Sequence, residues 1–267
     1  MSPAVSLNRS RLVIAVAIGG ALAALLTIVA LAPAQWADDE VRRISDGHIR
    51  LAETAGTIWN GSATLVFASG QPDRDAGASL PEPLSWRLDP LPLLFGTAEL
   101  TLRHPSALAA PWHVSAYLGG RLHLGAATLR LPAAMLAGLG APWNTVRPGG
   151  IISLRTDGIE FAPGQCRGSV TAEWEDASSA LTPVAPIGHY LLQTSDRYPG
   201  MQVRLQTVAG PLELEGSGTI GAGGHLQFEG IARAQATADP ATKTQLTGLI
   251  SLLGRRDGDA AILRFGS

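Results

Sequence analysis

Apolar and polar residues alternate with period two, in short runs bounded by glycine and turn residues, and this pattern leaves few folds open to the chain. Period two puts every second side chain on the same face of an extended strand, so such a strand buries one face and wets the other. The clearest runs are Ile152-Ser153-Leu154-Arg155, Val170-Thr171-Ala172-Glu173-Trp174-Glu175, Leu212-Glu213-Leu214-Glu215, Leu226-Gln227-Phe228-Glu229 and Leu122-His123-Leu124. Thr64 to Phe67, Ala98 to Leu102, Tyr190 to Gln193 and Val203 to Thr207 repeat the pattern more weakly. Together they predict a sheet of roughly ten or more strands. Short turns between the runs make it mostly antiparallel. A sheet of that size twists and coils, so the expected architecture is mainly β, a large curved sheet forming an open half-barrel whose concave face collects the apolar residues. The 31 glycines and 18 prolines supply its turns, bulges and edge breaks.

Elsewhere the rhythm changes. Leu12 to Ala32 reads LVIAVAIGGALAALLTIVALA, with no charged or amide side chain. At about 1.5 Å per residue a helix of this length covers the roughly 30 Å hydrocarbon core of a bilayer. Ala32-Pro33-Ala34 would also pass as a signal-peptide cleavage site, but the apolar run exceeds the usual ~7–15 residues of a signal peptide's apolar h-region. An uncleaved anchor is the favoured reading and a cleaved signal the alternative; both send the rest of the chain across the membrane. Arg9 and Arg11 before the run are balanced by Arg42 and Arg43 after it, so charge leaves the topology open. The shortness of the N-terminal tail favours an N-inside orientation. Pro132 to Leu139 is a short helix candidate with Pro132 at its first position and Gly140 ending it. Asp239 and Pro240 suit the N-cap and first position of a longer helix, in which Leu246, Leu249, Ile250 and Leu253 form an apolar stripe before Gly254 stops it. Its stripe is expected to lie on the sheet or to plug one end of it. Gln71 to Pro83 is polar and non-periodic, a surface loop.

The chemistry-bearing residues are scattered. A net charge of -2 offers no basic footprint for nucleic acid. Cys166 is the sole cysteine, which excludes an intramolecular disulfide and a multi-thiolate metal site, and it is assigned to packing. His48, His104, His113, His123, His189 and His225 show no metal-ligand spacing. Gly216-Ser217-Gly218-Thr219-Ile220-Gly221 matches G-x-G-x-x-G, but alternation resumes after it where a dinucleotide site requires a helix, so it reads as a hairpin turn. No nucleophile elbow or phosphate-binding loop is present. The expected catalytic, cofactor-binding and metal residues are therefore none, and the chain reads as a non-enzyme. Trp36, directly after the apolar run, suits a membrane interface. Trp59, Trp86, Trp112, Trp143 and Trp174 lie in separate strands and loops, as core or sheet-face residues do.

Three stretches together resemble the protein N family of the type II, or general, secretion pathway. They are Gly56-Thr57-Ile58-Trp59-Asn60-Gly61, then Gly140-Ala141-Pro142-Trp143-Asn144-Thr145-Val146-Arg147-Pro148-Gly149-Gly150, then Gly210 to Gly218 (GPLELEGSG) with the closing Leu249 to Asp259 (LISLLGRRDGD). The resemblance implies a cytoplasmic tail over residues 1–11, a transmembrane helix over 12–32 and a β-rich periplasmic domain over 33–267. It also implies an accessory component of the type II secretion system, held in the inner membrane and binding other machine subunits, without enzymatic activity or cofactor. Binding through sheet edges or the concave face is the expected mode, because an unpaired edge takes up a partner strand through backbone groups. The alternative is a periplasmic carrier of lipid or lipopolysaccharide, with acyl chains in an apolar groove.

Overall fold

The computed structural model describes residues 9–69, 77–140, 143–197, 200–221 and 225–266. Helix α1 (Arg9–Ala30) is followed by α2 (Gln35–Ile44) and then by β1 (Ile49–Gly56), β2 (Asn60–Phe67), β3 (Ala78–Ser79) and β4 (Leu84–Asp89). A single turn, α3 (Pro90–Leu93), leads to β5 (Thr97–Arg103), β6 (Trp112–Tyr117), β7 (Arg121–Leu124) and β8 (Ala127–Pro132). The 3-10 helix η1 (Ala133–Leu139) and the single turn α4 (Trp143–Val146) precede β9 (Pro148–Ala162) and β10 (Gln165–Ser179). The meander continues through β11 (Gly188–Arg197), β12 (Gly200–Ala209), β13 (Leu212–Ile220) and β14 (Leu226–Ala234). Helix α5 (Pro240–Leu253), β15 (Arg255–Asp257) and β16 (Ala260–Phe265) close it.

All strands belong to one 16-stranded sheet in the order β1-β2-β4-β5-β6-β7-β9-β10-β11-β12-β13-β14-β16-β15, with β3 beside β2 and β8 beside β9. Every pairing is antiparallel. The sheet is open, because β1 and β15 stand at opposite ends of the path. Each alternating run named above lies inside a strand. Strand β1 escaped detection because its alternation breaks at a bulge between Ala52 and Ala55, where Glu53 adopts a left-handed conformation (φ 52°).

The register aligns the apolar residues on one face from end to end. Leu51 pairs with Leu65, Trp86 with Leu102, Leu100 with Val114, and Val114 with Leu124. Leu124 then meets Ile159 and Leu122 meets Phe161. A bulge at Asp157 restores phase in β9, so Leu154, Ala172, Leu192 and Leu205 continue the same face, and Leu214, Ala232 and Ala261 complete it. The opposite face carries Arg130, Glu173, Gln193, Arg204, Glu215, Arg233 and Arg264.

Helical segments cover the apolar face only in places. Leu246, Leu249 and Ile250 of α5 pack with Tyr190, Leu212, Ala232, Ala261 and Leu263 in the main core, so the predicted stripe does rest on the sheet. Asp239 caps the helix by accepting from the Thr242 amide at 3.0 Å, with Pro240 in the first turn as expected. Segment η1 sets Met135 against Leu80, Ala107, Leu65 and Leu131. The 132–139 candidate is thus a 3-10 segment that starts one residue later than expected, because Pro132 still pairs with Ile151 as the last residue of β8. Helix α2 lays Ala37 and Val41 against Leu51, Ala63 and Trp86. Its sequence, QWADDEVRRI, is too charged to have stood out as a helix beside the apolar run. The expected count of one or two short helices was therefore too low.

Two further expectations change. Residues 71–76 of the proposed 71–83 loop lie outside the described residues; of the rest, Ala78 and Ser79 form β3 and Leu80 is buried, while Pro81 to Pro83 are loop. The apolar run 12–32 lies in α1, a helix of 22 residues, as far as Ala30, and its last two residues follow the helix. Among the described residues no helix is long and apolar enough to cross a membrane. Residues 1–8 of the expected tail, and the side chains at 9–15, 22 and 24–26, lie outside the description. The helix is established; its crossing of a bilayer is a proposal.

Candidate interaction surface

Among the described residues the middle of the apolar face has no second layer. Val114, Leu122, Leu124, Leu154, Ile159, Ala172 and Leu192 are all half-buried and join none of the three core clusters, while Leu100 and Leu205 at the flanks pack against the α2 and α5 clusters. Met201, Val203 and Phe228 are buried near the far end of their strands, away from α5. Phe228 lies over Gly216 and Gly230, where any Cβ would collide with its ring. The G-x-G-x-x-G stretch is therefore mostly not a turn: Gly216 to Ile220 are β-strand, Gly216 makes room for the Phe228 ring and Gly218 for the Gln227 backbone. Ala222 to Gly224, which follow, lie outside the described residues.

The two sheet edges differ. At β1 the outward amide of Ile49 donates to Ser45 Oγ at 3.0 Å and that of Leu51 donates to Asp38 Oδ1 at 2.6 Å. Both acceptors come from α2 or the residue capping it, so this edge is closed to a further strand. At the other end β15 is three exposed residues paired with Ala260–Ile262. Beyond Ile262, Arg264 and Phe265 pair with β14 alone, which leaves their outer side open among the described residues.

Titratable groups do not converge. His104 is buried as a structural ring: Nε2 donates to the Glu82 carbonyl at 2.8 Å and Nδ1 accepts from the Ala107 amide at 3.0 Å, which fixes a neutral tautomer. His113 Nδ1 lies 3.2 Å from Thr101 Oγ1, and His48 Nδ1 lies 3.2 Å from the Ala68 carbonyl. His189 Nε2 is 3.9 Å from Glu173 Oε2, beyond a hydrogen bond. His123 faces Glu160 across β7 and β9, and His225 is exposed at a hairpin end. Among the described residues no three metal-ligating side chains gather. Cys166 is half-buried on the apolar face opposite Phe161. Burial, then the Asp196 charge, pushes its thiol above the usual range, which keeps it protonated and a poor nucleophile. Tyr190 is pushed up by burial while its hydroxyl donates to the Leu212 carbonyl at 2.9 Å. On the polar face Arg233 grips Glu213 with two bonds of 2.8 and 2.9 Å, and the guanidinium holds that carboxyl below its usual range. A cleft of about 420 Å³ between α5 and the last hairpin is lined by Arg233, Lys243, Arg256, Asp257 and Asp259, without a nucleophile and its base.

The G-T-x-W-x-G stretch has a structural job. Gly56 is left-handed (φ 86°) and packs on the Asn60 carbonyl, while Gly61 lies under the Trp86 ring. Trp59 Nε1 donates to the Val29 carbonyl at 2.8 Å, and the Ile58 amide donates to the Ala32 carbonyl at 3.0 Å. This turn is the joint between α1 and the sheet. Residues 47–263 match the family model of type II secretion system protein N, which takes in this joint and every strand up to β16. The chain belongs to the type II secretion system protein N family. That family is a non-catalytic component of the secretion machinery, which supports an accessory role in type II secretion for this member. A 76-residue stretch, 28% of the chain, is 40% identical to 5-hydroxyisourate hydrolase of Mesorhizobium japonicum (strain LMG 29417 / CECT 9101 / MAFF 303099). That stretch covers 60% of the hydrolase, so the chain spans about three fifths of the length of the curated relative it matches. No solved structure matches the chain. The signal that sequence reasoning missed was Asp38: a carboxylate on α2 that closes an edge looks like any solvated charge until the strand beside it is known.

Proposed function

We propose that this protein N family member is anchored in the inner membrane by residues 12–32 and carries residues 33–267 in the periplasm, where its sheet binds other type II secretion subunits. One observation carries the reading: an apolar face runs in register across the sheet and, among the described residues, lacks a cover over its central strands. Half-exposed leucines and valines aligned over many strands form a contiguous patch, and such patches serve as interaction sites. Burial of Met201, Val203 and Phe228 without a helix above them supports a sheet curled toward that face, an open half-barrel. The β15–β16 edge supplies the second contact, by strand addition, since the β1 edge is closed. A photo-crosslinking residue placed at Val114 or Leu192 in the intact envelope tests this. The expected adduct is another secretion subunit; recovery of none from either position overturns the reading.

The same uncovered face favours a second reading, a carrier whose groove shields acyl chains of lipid or lipopolysaccharide. A carrier retains its cargo, so mass spectrometry of organic extracts from the purified protein would return about one lipid per chain. Extracts with only trace lipid exclude this reading and leave the first untouched.

A further inference from the structure

Among the described residues the three most exposed apolar side chains outside α1, with Leu91 beside them, cluster at one rim of the sheet; Ile44, at the end of α2, is 73% exposed and lies apart from them. Phe95 is 86% exposed, Leu118 84%, Leu94 79% and Leu91 71%. They sit in two neighbouring connections, the β4–β5 connection built on α3 and the β6–β7 turn. The two touch: Leu118 packs against Gly96, where any Cβ would strike its side chain, and its amide donates to the Gly96 carbonyl at 2.9 Å. Nothing in the fold explains this exposure, since these side chains join no core cluster.

The strand directions say which end this is. Strand β1 runs toward the Thr57–Trp59 turn, and β4, antiparallel to β2, ends beside that same turn, with the Leu88 amide donating to the Trp59 carbonyl at 2.8 Å. Strand β6 rises in the same direction as β4, so the Leu118 turn lies on the same rim. Trp59 is also where α1 is fastened, through the Val29 carbonyl, and α1 does not pack along the sheet. The helix therefore leaves the sheet from the rim that carries Leu91, Leu94, Phe95 and Leu118. Strands lie about 4.8 Å apart, so the apolar loops stand on the order of 10–20 Å from the point where α1 departs.

We propose that this rim is a membrane foot: the α3 connection and the β6–β7 turn dip Leu94, Phe95 and Leu118 into the lipid surface beside the anchor. Large apolar side chains on loop tips gain free energy by entering the acyl boundary, much as interfacial amphipathic helices do. Tyr117 and Arg121 flank the tip, with the guanidinium 5.1 Å from the ring centroid, an amphipathic pair suited to the headgroup level. The foot fixes the tilt of the sheet relative to the bilayer, which a single helix joined through one turn does not. The proposal rests on the reading of residues 12–32 as a span.

The full chain, in a Cys166→Ser background whose melting matches the native protein, is given single spin-labelled cysteines in place of Ile18, Phe95, Leu118 and Leu252. It is reconstituted in phosphatidylethanolamine–phosphatidylglycerol vesicles, and collisions with oxygen and with a water-soluble nickel chelate are compared. Leu252, 63% exposed on α5 beside β14, β15 and β16 at the far end of the strand order, is the aqueous control. Labels at 18, 95 and 118 are expected to show at least a fivefold higher oxygen-to-nickel ratio than the label at 252. Labels at 95 and 118 that match 252, with 18 in lipid, overturn the foot and leave the anchor standing. Labels at 95 and 118 shielded from both reagents indicate protein contact, and that also overturns it. A label at 18 that matches 252 refutes the anchor and the foot together.

Discussion

Leu249 and Leu252 sit one turn apart on α5 and are 1% and 63% exposed respectively, which makes them a controlled pair for the claim that this helix lies on the sheet. Leu249 packs among Tyr190, Leu212, Ala232 and Leu263 in the main core. Truncating it to alanine removes three carbons from that environment and leaves a cavity bounded by β-strands, which relax little. Measured Leu→Ala changes at such sites cost about 3–5 kcal/mol, combining lost transfer energy with the cavity. In a domain of this size that lowers Tm by roughly 6–20 °C. Leu252→Ala removes the same atoms from solvent and is expected to change stability by less than about 0.5 kcal/mol. Thermal melts of both variants, followed by the near-ultraviolet signal of Trp174 and Tyr190, provide the assay, because those rings sit 5.7 Å apart in or against the same core. Equal melting temperatures for the two variants would refute the packing of α5 on this sheet, whatever the absolute values.

Asp38→Ala removes the acceptor that satisfies the Leu51 amide at 2.6 Å. A hydrogen bond to a carboxylate contributes about 1.5–3 kcal/mol, at the low end when half-exposed, so exchange at the Leu51 amide is expected to speed up roughly tenfold or more; unchanged exchange would show that the β1 edge is protected by something else. The Arg233 guanidinium holds Glu213 below its usual range, so this carboxyl stabilises the fold at pH values above its unfolded pKa near ~4.3 and ceases to do so as pH falls through its lower folded value. Glu213→Gln is therefore expected to flatten the fall in Tm between about pH 5 and pH 3 relative to the native protein. An identical slope would remove the ion pair from the list of acid-sensitive contacts.

The β architecture was legible because period two is a local property. A strand with one buried face displays that face in its own four to six residues, as Leu212 to Glu215 and Ile152 to Arg155 do. The stripe on α5 was legible for the same reason, with Asp239, Pro240 and Gly254 marking its ends. What stayed hidden depends on partners distant in the chain. Glu53 and Asp157 change phase at bulges that only the neighbouring strand reveals. Gly216 resembles a turn glycine until the Phe228 ring is seen to need its space, and Gly218 until the Gln227 backbone is. The closed β1 edge depends on Asp38, thirteen residues before the amide it satisfies. Exposed tips such as Phe95 and Leu118 read as ordinary apolar residues, since burial cannot be inferred from hydrophobicity alone.

The inequality of the two edges has a consequence for assembly. A sheet with two receptive borders can stack copies without limit, each new molecule presenting a fresh border to the next. Here the first border is sealed from within by Asp38 and Ser45, so two copies joined through β15 and β16 would exhaust both available borders in one step. Self-association by that route ends in a closed twofold pair and has no path to a fibre.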